Sequence, residues 1–133
     1  MKKFYKKWNL KSVDDCGSCM SESAKQFCRD FKSYLKRSFP NAKLVNFTPN
    51  HYDISGFLVE SDVCVYISYK IPRYGESIDF NANCLMNSVL YRTAKHTKDF
   101  SGGNNNFSSI FELEQNLKEK LEKATREKEL KVA

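Results

Sequence analysis

At 133 residues, the chain has room for one hydrophobic core and not for two. Its 41% hydrophobic and 14% aromatic content excludes a wholly disordered polymer, which would lack the apolar area to offset its ordering entropy. The net charge is +6, from 22 Lys and Arg against 16 Asp and Glu, and no apolar run approaches ~18 residues, so no membrane span is expected.

Residues 1–20 show no sustained period and are read as a basic arm or irregular cap. Lys2, Lys3, Lys6, Lys7 and Lys11 alternate there with Phe4, Tyr5 and Trp8. Such a segment neutralises phosphates while Tyr5 and Trp8 stack on unpaired bases, lies on an anionic surface, or packs on the domain as a solubilising tail. It is basic, but no apolar stretch follows it, so a secretory leader is not expected. From Ser21, Ala24, Phe27, Cys28, Phe31, Leu35 and Phe39 recur at helical spacing, with Lys25, Arg29, Lys32, Lys36 and Arg37 on the other side. Pro40 stops this helix.

Residues 40–98 carry strand signals. Lys43–Phe47 is short, Tyr52–Glu60 runs to a turn at Ser61-Asp62, and Val63–Ile71 alternates cleanly. In that last run Val63, Val65, Ile67, Tyr69 and Ile71 share one face, and Cys64, Tyr66, Ser68 and Lys70 share the other. Ser88–Lys95 reads as a further strand. Ser109-x-x-Glu112 is a capping box opening a second helix at about 108–130, with Ile110, Leu113, Leu117, Leu121 and Ala124 as its apolar stripe. At ~1.5 Å per residue it is ~35 Å long, more than a small sheet covers, so its last turns project, fray or pair with another chain. A homodimer through the Leu113/Leu117/Leu121 stripe is the alternative to simple core packing. The expected fold is therefore α+β in two layers: a helix, a three- or four-stranded antiparallel sheet, and a long C-terminal helix, with residues 21–133 forming one domain.

The five cysteines, an odd number without a dense framework, fit a reduced, cytoplasmic protein. Cys16 and Cys19 stand in C-x-x-C spacing, which suits zinc, a redox pair or two free thiols. A closed zinc site needs two more ligands, and no second such motif exists. Cys64 and Cys84 read as small buried hydrophobes. No serine elbow or H-E-x-x-H is present, so no enzyme and no cofactor are expected; His96 near Asp99 is the one general-base pair to consider.

The densest polar region is Tyr91–Phe107. Arg92, Lys95, His96 and Lys98 precede Gly102 and Gly103, which permit close backbone approach, and then Asn104, Asn105 and Asn106, whose amides donate and accept. It is read as the partner-binding surface, against the plain reading of a long strand-to-helix connection. It is not a P-loop, because no Lys-Ser/Thr follows the glycines. The acidic Asp53, Glu60 and Asp62, in a stretch without Lys or Arg, offer a second possibility, mimicry of DNA phosphates.

The string Arg92-Thr-Ala-Lys-His-Thr-Lys-Asp-Phe-Ser-Gly-Gly-Asn-Asn-Asn-Phe107 resembles a motif of small uncharacterised proteins on mobile elements of Gram-positive bacteria, R-T-A-K…K-D-(aromatic)-(Ser/Thr)-G-G-x-N before a C-terminal helix. That resemblance transfers no activity. The layout of basic arm, helix, sheet and long charged helix is similar to that of some anti-CRISPR inhibitors. This similarity implies a non-enzymatic mobile-element protein that binds a CRISPR effector nuclease or its nucleoprotein in the host bacterial cytoplasm. The same element order occurs in double-stranded-RNA-binding domains, but here the second helix opens without their lysine cluster. The alternatives are a direct DNA- or RNA-binding accessory protein, and a zinc- or redox-dependent module using Cys16 and Cys19.

Overall fold

The computed structural model describes residues 2–9, 22–49, 53–70, 80, 88–100 and 103–132. Three helices, α1 (Lys2–Trp8), α2 (Glu22–Ser38) and α3 (Leu113–Val132), accompany five strands: β1 (Lys43–Pro49), β2 (Asp53–Glu60), β3 (Val63–Lys70), β4 (Val89–Ala94) and β5 (Asn106–Ser108). The strands lie in chain order as one antiparallel meander, with helices on one face, so the two-layer α+β expectation is met. The sheet has one strand more than expected. Three residues are too few for period-2 alternation to register, so β5 was hidden in the approach to α3.

Register explains the layers. β2 and β3 pair from Asp53↔Lys70 to Glu60↔Val63 around Ser61-Asp62, with Ser61 at φ +54°. Val63, Val65, Ile67 and Tyr69 of β3 therefore face the helices and are buried, as the alternation predicts. Opposite them α2 inserts Phe27, Phe31, Tyr34 and Leu35, with the Phe31 and Tyr69 rings 4.9 Å apart. In α3, Leu113, Leu117, Leu121 and Ala124 are buried within the chain. The leucine stripe is thus core and not a free dimer seam, because the sheet and α2 already cover it. Beyond Ala124 the side chains are exposed, Leu130 77% so, but the helix does not project free of the domain: Lys128 donates to the Asp62 carbonyl, and Thr125, Arg126 and Glu129 line a cavity with Ser38, Pro40 and Glu60. The Ser109 Oγ accepts from the Glu112 N–H at 3.3 Å as the motif predicts, but it closes a turn before the helix: α3 begins at Leu113, its first bond accepted by the Glu112 carbonyl.

Residues 2–8 are not irregular. Phe4 and Trp8 recur at helical spacing and both are buried. Phe4 lies 5.5–5.9 Å from Phe27, Phe31, Tyr34 and Phe80, and Trp8 meets Phe27 edge-on at 5.3 Å. The aromatic half of the proposed arm belongs to the core, where ring pairs contribute beyond their area burial.

Cys28 and Cys64 are buried free thiols, and burial pushes the Cys28 thiol up to about 12 and raises that of Cys64. Neither is a ready metal ligand at neutral pH. Among the described residues no cluster of three or more His, Cys, Asp or Glu gathers to hold a metal, and no helix is long and apolar enough to cross a membrane. Cys16, Cys19 and Cys84 lie outside the described residues.

Candidate binding surface

The sheet face away from the helices carries a cross-strand row, Phe57↔Tyr66↔Arg92. Phe57 and Tyr66 lie 5.4 Å apart, and the Arg92 guanidinium carbon sits 4.5 Å from the Tyr66 ring centroid. The β4–β5 connection folds back over this row. Phe100 caps it edge-on, 5.2 Å from Phe57 and 6.0 Å from Tyr66. Phe57 is fully buried for that reason, although it points away from the main core.

Four further contacts fasten the connection. Arg92 Nη2 donates to the Asp99 carbonyl at 3.2 Å, and Asn46 Nδ2, from β1, donates to the Thr97 carbonyl at 3.0 Å. The Asp99 carboxylate accepts from the Lys95 N–H at 3.0 Å, and His96 Nδ1 accepts from the Lys98 N–H at 3.2 Å. At Gly103 φ is +84°, and an added Cβ would stand 3.0 Å from the Thr93 carbonyl oxygen; this is where the connection needs a glycine.

The expected partner-binding residues divide accordingly. Lys95, His96, Lys98, Gly103, Asn104 and Asn105 are exposed together on the connection. Asn106 is half-buried, its amide donating to the Asn104 and Tyr91 carbonyls. Arg92 is 3% exposed and does not reach the surface, because cross-strand pairing sets it on Tyr66 under the connection. Gly102 lies outside the described residues. His96 and Asp99 are each held by backbone amides of the same turn, so they shape the loop rather than form a base pair with each other.

Two residues on this face escaped the sequence reading. Phe100 and Phe107 are 57% and 50% exposed, and Phe107 pairs with Leu90 on the same side as Tyr66 and Arg92. Large aromatics flanking a Gly-Asn run were the available signal. The acidic trio is not assembled: Asp53 begins β2 and accepts from Ser68 Oγ at 2.7 Å, while Asp62 lies beyond the other end of that strand, ~23 Å away.

The α1 residues expected to hold nucleic acid are also redistributed. Trp8 is 5% exposed, and its indole N–H donates to Asp30 Oδ2 at 2.8 Å. Lys7 pairs with the same carboxylate at 2.7 Å, and Gln26 donates to its other oxygen at 2.7 Å. Stacking by Trp8 is thereby ruled out in this fold. Lys6 stays exposed; the Lys2 and Lys3 side chains and Lys11 lie outside the described residues.

Partial burial pushes the Asp30 carboxyl up, but the hydrogen bonds from Lys7, Trp8 and Gln26 together outweigh it and hold the group below its ordinary 3.8. A depressed carboxyl contributes stability above its unfolded value and loses it as pH falls through the folded one. Asp30→Asn should therefore cost about 1 kcal/mol at neutral pH. In parallel thermal melts, the gap between wild type and variant should close only below pH 3.8. A gap that persists in stronger acid would show that the clasp does not depend on the charge.

No known protein family, curated protein or solved structure matches the chain.

Proposed function

We propose that this chain is a non-enzymatic binding protein that engages a nucleoprotein target through the β4–β5 connection and the aromatic rim beside it. One observation carries the reading: half-exposed Phe100 and Phe107 share a face with exposed Lys95 and Lys98, on a connection fastened from beneath by Arg92 and Asn46. Exposed aromatics mark interaction surfaces, and aromatics of this kind anchor binding hot spots. A connection ordered beforehand avoids much of the entropy cost of association. The lysines steer the surface toward an acidic partner. Similarity of layout to anti-CRISPR inhibitors makes an assembled CRISPR effector nuclease the particular target under this reading.

The test is a cleavage-protection assay with assembled CRISPR effectors, in the presence of wild type or of Phe107→Ala/Lys95→Glu/Lys98→Glu. All three positions are exposed, so equal melting temperatures are expected. Protection by wild type and about 100-fold weaker protection by the variant would support the reading. Equal protection by both would remove the function from this surface. Protection of no effector would remove the target class.

A further inference from the structure

A second charged surface lies on the helical side of the molecule, at the edge of the sheet. On α2, Lys25, Arg29, Lys32 and Lys36 are spaced by four, three and four residues, which puts them in one line ~16 Å long. The line borders a groove of about 540 Å³ between α2 and β1, lined by Lys32, Ser33, Lys36, Lys43, Leu44 and Val45. Half-buried Leu44, which pairs with core residue Leu58 and so faces the helices, forms its apolar floor, on which lysine stems rest while their ammonium groups reach water.

Apart from Lys25, which Glu22 meets at the end of the line, the charge here is not neutralised locally. No Asp or Glu lines the groove among the described residues. Of the two α2 carboxylates, Glu22 meets Lys25 at 3.6 Å at the far end, and Asp30 turns away to Lys7 and Trp8. Lys36 Nζ donates to the Ala42 carbonyl at 2.8 Å, and Arg29 donates to the Gln26 amide oxygen at 2.8 Å; both partners are neutral, so the positive charges persist.

We infer that the α2–β1 groove is a contact surface for the phosphate backbone of duplex DNA. A row of cations ~16 Å long complements the negatively charged phosphate strand that borders a duplex groove. The lining holds no aromatic ring, so it has no platform for unpaired bases. Ser33 is its one side-chain hydroxyl, which leaves little to recognise the ribose 2′-OH of RNA. Contacts of this kind position a protein on DNA without reading sequence. The inference is independent of the β4–β5 reading, since the two surfaces lie on different faces of the sheet.

Fluorescence anisotropy of the full chain with labelled duplex DNA, from about 50 to 200 mM salt, tests it. Four cations, Arg29, Lys32, Lys36 and Lys43, predict a log–log slope of about −3.6, an affinity loss of about 150-fold over that range. Arg29→Gln/Lys32→Gln/Lys43→Gln should flatten the slope by about 2.7, while Leu130→Ala, at an exposed site on α3, leaves it unchanged. Each variant's melting temperature is measured alongside. No binding at low salt, an unaltered slope in a folded triple variant, or tighter binding of duplex RNA or single-stranded DNA would overturn the inference.

Discussion

Gly56→Ala should lower stability by about 3 kcal/mol, seen as a fall of ~10 °C in melting temperature and an earlier denaturant midpoint. The cause is the irregularity in β1 between Val45 and Thr48. Asn46 there takes φ +52°, and the Phe47 side chain passes over Gly56 of the neighbouring strand to pack 6.3 Å from Phe31. A Cβ at position 56 would stand 2.3 Å from the Phe47 Cα and 2.7 Å from its Cβ and Cδ2. Backbone, not a flexible side-chain tip, must move. The displacement should spread to the far face, because Asn46 holds the β4–β5 connection through Thr97. A loss under about 1 kcal/mol would show that β1 yields easily and does not brace the connection.

Arg92→Ala should cost about 2–4 kcal/mol and release the connection selectively. The substitution removes the cation from the Tyr66 ring, takes the donor from the Asp99 carbonyl and leaves a void in place of a buried side chain. Limited trypsin digestion reads the local part, since Lys95 and Lys98 supply cleavage sites in the connection; denaturant unfolding reads the global part. Arg92→Lys keeps the charge but not the planar contact, and should recover less than half of the loss. Lys98→Ala, at an exposed site, should fall within ±0.5 kcal/mol. Full recovery by lysine would show that charge alone fastens the loop. The same result bears on the proposed function: loss of binding in an Arg92 variant would report a disordered connection, whereas loss at Phe107 or Lys95 would report a missing contact.

Several elements were legible before any coordinates because their signals are local. The α2 stripe, the alternation along β3, the Ser61-Asp62 turn and the Ser109–Glu112 hydrogen bond each depend on residues within a turn or two of one another. Backbone geometry converts that spacing directly into a face or a hydrogen bond. The exposure of Lys95, His96 and Lys98 was legible for a similar reason: a Gly-Asn-rich run between periodic segments is a surface connection.

The misplaced residues all owe their roles to partners far along the chain. Five lysines around Trp8 in sequence point to a stacking residue; it turns inward because Asp30, 22 residues away, accepts its N–H. Arg92 was read as a contact because it opens a cationic run; cross-strand register with Tyr66 buries it. β5 is strand only because β4 offers it an edge.

By itself, the amino-acid sequence determined the two-layer class, the main helices and strands, and which connection is rich in polar groups. It did so because periods of 2 and 3.6 are written residue by residue. Tertiary structure alone decided which cations remain free: Lys7 pairs with Asp30, Arg92 lies buried on the Tyr66 ring, and the α2–β1 groove has no carboxylate in its lining. A charged side chain reads identically along a sequence whether it is buried, paired or open to water, and only the groups that folding brings against it determine which.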